Sequence, residues 1–168
     1  KLALGFDFLG QEAGFGIPEY LRLVPVDFET GWSWWEKLAA AGFDSDRPTV
    51  AASSGVTMYL SKDAVMTTLR RAAALVRGST LAMTFMLPLE FVDSEERAQR
   101  QQAEQGALAA GTPFVSFFSP TEMLALAREA GFREVQHVSA ADLAERYFAG
   151  RTDGLRPSSA EQFLVART

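Results

Sequence analysis

The run Val24-Pro25-Val26-Asp27-Phe28-Glu29 is a short apolar stretch that stops on a carboxylate followed by a ring. Such a pair accepts hydrogen bonds from an amine or hydroxyls through Asp27 and offers a stacking face through Phe28. A polar turn with a core phenylalanine is the plainer alternative. A second apolar run closes on Ser53, Ser54 and Gly55, where a glycine lets the backbone approach a ligand closely. Tyr59 follows and can supply a hydroxyl or an aromatic wall; a loose strand-to-helix connection accounts for the same residues. Near the end, "RYFAGRTDGLRP" combines Arg151 and Arg156, which suit an anionic substrate, with Asp153, which suits a turn braced by an Arg–Asp pair.

Other chemistries find little support. His137 is the single histidine and there is no cysteine, so disulfides, thiolate metal sites and cysteine nucleophiles are excluded and no metal site is expected. His137 lies within a strand-like run and reads as structural. No G-x-S-x-G elbow or phosphate-binding loop occurs, and no strand precedes "GQEAGFG" to make it a dinucleotide fingerprint. No catalytic residue is assigned. A net charge of -5 argues against nucleic acid or an anionic membrane as the main partner. No apolar run approaches a membrane span, and the lack of cysteine suits a cytoplasmic setting.

The elements that must position these residues alternate. Leu21 to Val26 reads as a strand, Ser33 to Ala41 as a helix capped by Gly42, and Thr49 to Ser53 as a strand. Ser61 caps a helix to Val76, closed by Gly78, and "STLAMTFML" is a buried strand. Asp93 to about Ala110, charged and glutamine-rich, reads as an exposed helix suited to a lid. "SPTEMLALAREAGF" has Ser119 as cap, Pro120 at the first helical position and Gly131 as terminator. A strand at "REVQHVS", a helix from Ala140 to Phe148 and a strand at "EQFLVART" complete the order. Trp32, Trp34 and Trp35 read as packing of their helix against the sheet, with a substrate wall or an oligomer contact as the alternatives. The alternation predicts a single α/β domain over residues 1–168 with helical crossovers, its late strand suited to an antiparallel place.

"LRLVPVDFE", "AAAGFDSDRPTVAASSGVTMYLSKDAV", "FFSPTEMLALAREAGFREV" and "RYFAGRTDGLRP" follow one another at the spacing of a known family. The chain resembles the bacterial branch of the leucine carboxyl methyltransferases, which are S-adenosylmethionine-dependent. The resemblance implies a Rossmann-like class I methyltransferase sheet, S-adenosylmethionine as cofactor and a small-molecule methyl acceptor. It places Asp27 on the adenine amino group, Phe28 on the adenine ring, and Ser53, Ser54 and Gly55 where cofactor and acceptor meet. Ser54 stands where many relatives carry an acid.

The family's glycine-rich first strand and acid-ended second strand have no counterpart upstream of Leu21. The chain therefore reads as the C-terminal portion of a longer methyltransferase. In the family order, 3-2-1-4-5-7-6, the expectation is that strands four, five, seven and six pair normally. Strand three then docks out of place or pairs with another chain, and an exposed sheet edge invites a homo-oligomer. A non-catalytic remnant or interaction module, and a nicotinamide-dependent oxidoreductase, are the alternatives.

Overall fold

The computed structural model describes residues 20–30 and 33–168. The chain divides into two compact units, residues 1–45 and 46–168.

In the first unit, Leu21 to Val26 forms no regular element and joins no sheet among the described residues, so the strand read there is not observed. A strand exists only through its neighbour's backbone, and Pro25 removes one donor from an already short run. Leu21 and Leu23 stay exposed. A short 3-10 turn, Phe28–Thr30, leads to helix α1, Ser33–Ala40. Gly42, at φ +92°, ends α1 with paired hydrogen bonds, Gly42 N–H to Ala39 O and Phe43 N–H to Leu38 O. Aromatic rings then meet in sequence, tilted or edge to face: Phe28 with Trp34 at 5.3 Å, Trp34 with Trp35 at 5.2 Å, Trp35 with Phe43 at 5.5 Å. Trp34 and Trp35 thus pack among rings of the first unit itself; Trp32 lies outside the described residues.

The second unit carries β1 (Val50–Ser53), α2 (Lys62–Ala73), β2 (Thr80–Met86), α3 (Arg97–Ala109), α4 (Pro120–Ala130), β3 (Glu134–Val138), α5 (Ala140–Leu143) and β4 (Glu161–Arg167). Its sheet runs β1-β2-β4-β3, with β1 parallel to β2 and β4 antiparallel to both neighbours. This is the expected pairing of the family's fourth, fifth, seventh and sixth strands. The expected helix from Ala140 continues past α5 as a π-helical turn, Ala144–Phe148.

Local chemistry explains the helix boundaries. Ser61 accepts from Ala64 N–H and Ser119 from Glu122 N–H, each satisfying a donor that the first turn leaves unpaired. Pro120 starts α4, and Gly131, at φ +111°, ends it. α2 stops at Ala73, earlier than expected, and Gly78 instead turns the chain into β2.

The pleat sends Leu81, Met83 and Phe85 of β2 to one side, in register with Ala166, Leu164 and Gln162 of β4. All are buried, as are Val65 and Leu69 of α2 and Met123 and Ala127 of α4. α2 packs along α4, and α4 along β3. On the rim, Lys62–Glu122 at 2.6 Å and Arg70–Glu129 at 3.2 Å join the two helices.

Candidate functional site

β1 and β2 run parallel, so their carboxyl ends lie on the same edge of the sheet, the side where open α/β folds bind small molecules. Ser53 is the last residue of β1 and is half-buried; Ser54 beyond it is exposed. Gly55 then turns at φ +68°, a backbone state that disfavours a side chain. Its N–H donates to Thr84 Oγ1 of β2 at 2.8 Å, and Thr57 Oγ1 donates to Thr84 O at 3.0 Å. Thr84 thus clasps the turn from both ends of its own residue. A Cβ built on Gly55 would meet nothing within 4 Å among the described residues, so none of them blocks approach to the backbone there.

Tyr59 closes the next 3-10 turn, partly exposed, with its ring edge-on to Phe114 at 5.3 Å. The segment carrying Phe114 is sewn to this end of the sheet. Val115 N–H donates to Met58 O at 2.7 Å, Ser116 Oγ to Leu60 O at 2.6 Å, and Phe118 N–H to Met86 O at 2.9 Å. Against it lies Arg100 of α3, buried, its guanidinium 5.3 Å from the Phe114 ring centre and 4.9 Å from that of Phe117. Arg100 Nη1 pairs with Glu104. Thr84 and Arg100 escape a reading of the sequence because both act across tertiary contacts; the only local trace is the Arg100–Glu104 spacing of four.

In the first unit, Asp27 is exposed and its Oδ1 accepts from Glu29 N–H at 3.0 Å, opening the turn that carries Phe28. Phe28 is half-buried against Trp34. Both the turn and the ring of the plainer reading are present, with the carboxylate directed to the surface.

The two loop arginines are engaged. Arg151 grips Asp153 through Nε and Nη2 and lies over Phe148. That guanidinium, followed by the Leu155 N–H, holds the Asp153 carboxyl below its ordinary pKa. Arg156 pairs with Glu95 at 3.3 Å and Glu96 at 3.7 Å, while Glu96 also accepts from Ser158 Oγ and Ser159 N–H. His137 Nε2 meets Gln162 Oε1 inside the sheet, as a structural histidine would. Among the described residues, no cluster of three or more His, Asp or Glu side chains could hold a metal ion. Among them too, no helix is long and apolar enough to cross a membrane.

A cavity of about 660 Å³ lies at the opposite edge of the sheet from β1, lined by Gln136, Val138, Arg146, Tyr147, Phe163 and Val165 among others. Beside it, the Ser139 hydroxyl and backbone hold the Asp142 carboxyl below its ordinary pKa as part of the capping box of α5.

Known proteins share this fold. A DUF574-family protein of Streptomyces avermitilis superposes with a TM-score of 0.58 at 19% identity, over 85% of this chain and 53% of that one. The mitomycin 7-O-methyltransferase MmcR superposes with a TM-score of 0.57 at 18% identity, over 99% and 39%. The fold is that of the class I S-adenosylmethionine-dependent methyltransferases.

The family model for leucine carboxyl methyltransferase matches residues 11–73. A putative S-adenosyl-L-methionine-dependent methyltransferase of Frankia alni is 44% identical over 62 residues, covering 36% of this chain and 21% of that protein. Another from Bacillus subtilis is 25% identical over 146 residues, covering 86% and 47%. These matches bear out the resemblance to the leucine carboxyl methyltransferase family. The matched segments cover less than half the length of either curated relative.

Proposed function

We propose that this chain serves S-adenosylmethionine-dependent methyl transfer to an oxygen of a small molecule. The observation that carries the reading is the turn after β1: exposed Ser54 and open Gly55, held by Thr84, at the ligand-binding edge of the sheet. When bound, the cofactor supplies a methyl group activated on a sulfonium.

The chain's own residues bind and align. The family resemblance assigns the adenine amino group to Asp27 and the adenine ring to Phe28. In the second unit Ser53, Ser54 and Gly55 border the place where the methyl donor and acceptor meet, and open backbone at Gly55 permits close approach. Tyr59 borders the acceptor. Arg151 and Arg156 contact it only by exchanging their surface ion pairs, which are worth little in water. Holding the reactants in line is the protein's main contribution to such a transfer. A carboxylate acceptor needs no general base, and His137, paired with Gln162, is not assigned as one.

Calorimetry with S-adenosylmethionine and S-adenosylhomocysteine tests this. Binding is expected, weakened roughly tenfold or more by Asp27→Ala and, independently, by Gly55→Val. Absence of binding by the folded chain favours the non-catalytic remnant; preference for a nicotinamide dinucleotide favours an oxidoreductase.

A further inference from the structure

Arg100 is buried to 4% exposure, yet its Nε and Nη2 have no hydrogen-bond partner among the described residues. A charged group removed from water with open donors is costly, so such donors are ordinarily met by an acceptor. Nη1 already has Glu104, whose side chain is 39% exposed and hence partly screened by solvent. The open pair, Nε and Nη2, forms the flank of the guanidinium that takes both oxygens of a carboxylate at once. Arg151 uses the same flank in this chain to hold Asp153.

Arg100 also sits where a ligand would be useful. The Phe114–Phe118 segment beside it is hydrogen-bonded to Met58 and Leu60 at the 3-10 turn after β1 and to Met86 at the end of β2, and Tyr59 touches Phe114. The helix that carries it is lightly held: Arg100 is the one buried residue of α3, and Leu108 is 66% exposed. An element with so little burial opens at low cost.

We propose that the Nε–Nη2 flank of Arg100 is a binding site for the carboxylate of a small molecule, admitted by opening of α3. Two charge-assisted hydrogen bonds occupy that carboxylate and leave its oxygens poorly nucleophilic, so it acts as an anchor. This extends the methyl-transfer reading by giving the acceptor a handle remote from its reacting oxygen, but the binding itself does not require that reading.

The test uses the whole chain, with benzoate as probe and benzamide as its neutral counterpart, followed by the Arg100 Nε–H resonance and by calorimetry. Benzoate is expected to shift that resonance and to bind at least roughly tenfold more tightly than benzamide. Arg100→Lys, which keeps the charge but not the fork, is expected to lose binding by a similar factor. An unmoved Nε–H, equal binding of the two probes, or undiminished binding by a folded Arg100→Lys overturns the proposal. The resonance readout needs no variant, so misfolding of Arg100→Lys does not obscure the result. A parallel titration with S-adenosylhomocysteine separates the readings: cofactor bound without benzoate sinks this inference alone, and benzoate bound without cofactor sinks methyl transfer alone.

Discussion

The Gly55 N–H donates to the Thr84 hydroxyl at 2.8 Å, tying the turn after β1 to the neighbouring parallel strand. The bond fixes where β1 stops and which backbone is presented beyond it. Thr84→Val keeps the shape but removes the acceptor, leaving the Gly55 amide unpaired. The expected cost is about 1–3 kcal/mol in urea unfolding, together with weaker cofactor binding. Thr84→Ser should restore both, because it keeps the hydroxyl; a Val variant as stable as the parent would remove Thr84 from the account.

Gly55 itself carries a second expectation. Its φ of +68° disfavours any side chain, whereas no described residue lies within 4 Å of a built Cβ. Gly55→Ala should therefore cost about 1–2 kcal/mol through backbone strain alone. Thermal and urea unfolding check this, and a substantially larger loss would mean that the space around Gly55 is filled.

The core beneath the site makes an ordinary but strict demand. Leu69 of α2 is fully buried. Leu69→Ala removes apolar contact and leaves a cavity, so a loss of about 2–5 kcal/mol is expected in equilibrium unfolding. A loss below that range would show that α2 relaxes into the space.

Asp153 provides a pH expectation with a definite sign. The Arg151 guanidinium and the Leu155 N–H lower its pKa in the folded protein. A carboxyl lowered on folding contributes stability above its unfolded value, about 3.9, and loses it as pH falls through the folded value. Carbon NMR titration should find Asp153 titrating below the ordinary aspartate range, and Arg151→Gln should raise it. The group is exposed, so the effect on global stability is expected to be minor.

What could be read in advance divides by the range of the physics. The Ser61 and Ser119 caps, Pro120 and Gly131 were legible because capping is decided within a few residues. The order β1-β2-β4-β3 came from the family resemblance, since pairing of distant strands leaves no local mark. Leu21 to Val26 misled for the same reason: its apolar run suits a strand, but the described residues supply no partner for it. The Arg151–Asp153 brace was one of two open readings, and proximity in sequence made it visible. Thr84 and Arg100 were invisible, because each owes its role to residues brought near only by folding.

Most direct for the claim of a methyltransferase cofactor site is an amide NMR titration of the chain with S-adenosylhomocysteine. The account predicts saturable shifts at Ser54 and Gly55. Shifts confined to Gln136, Val138 and Tyr147 beside the 660 Å³ cavity, or none at any concentration, would contradict it.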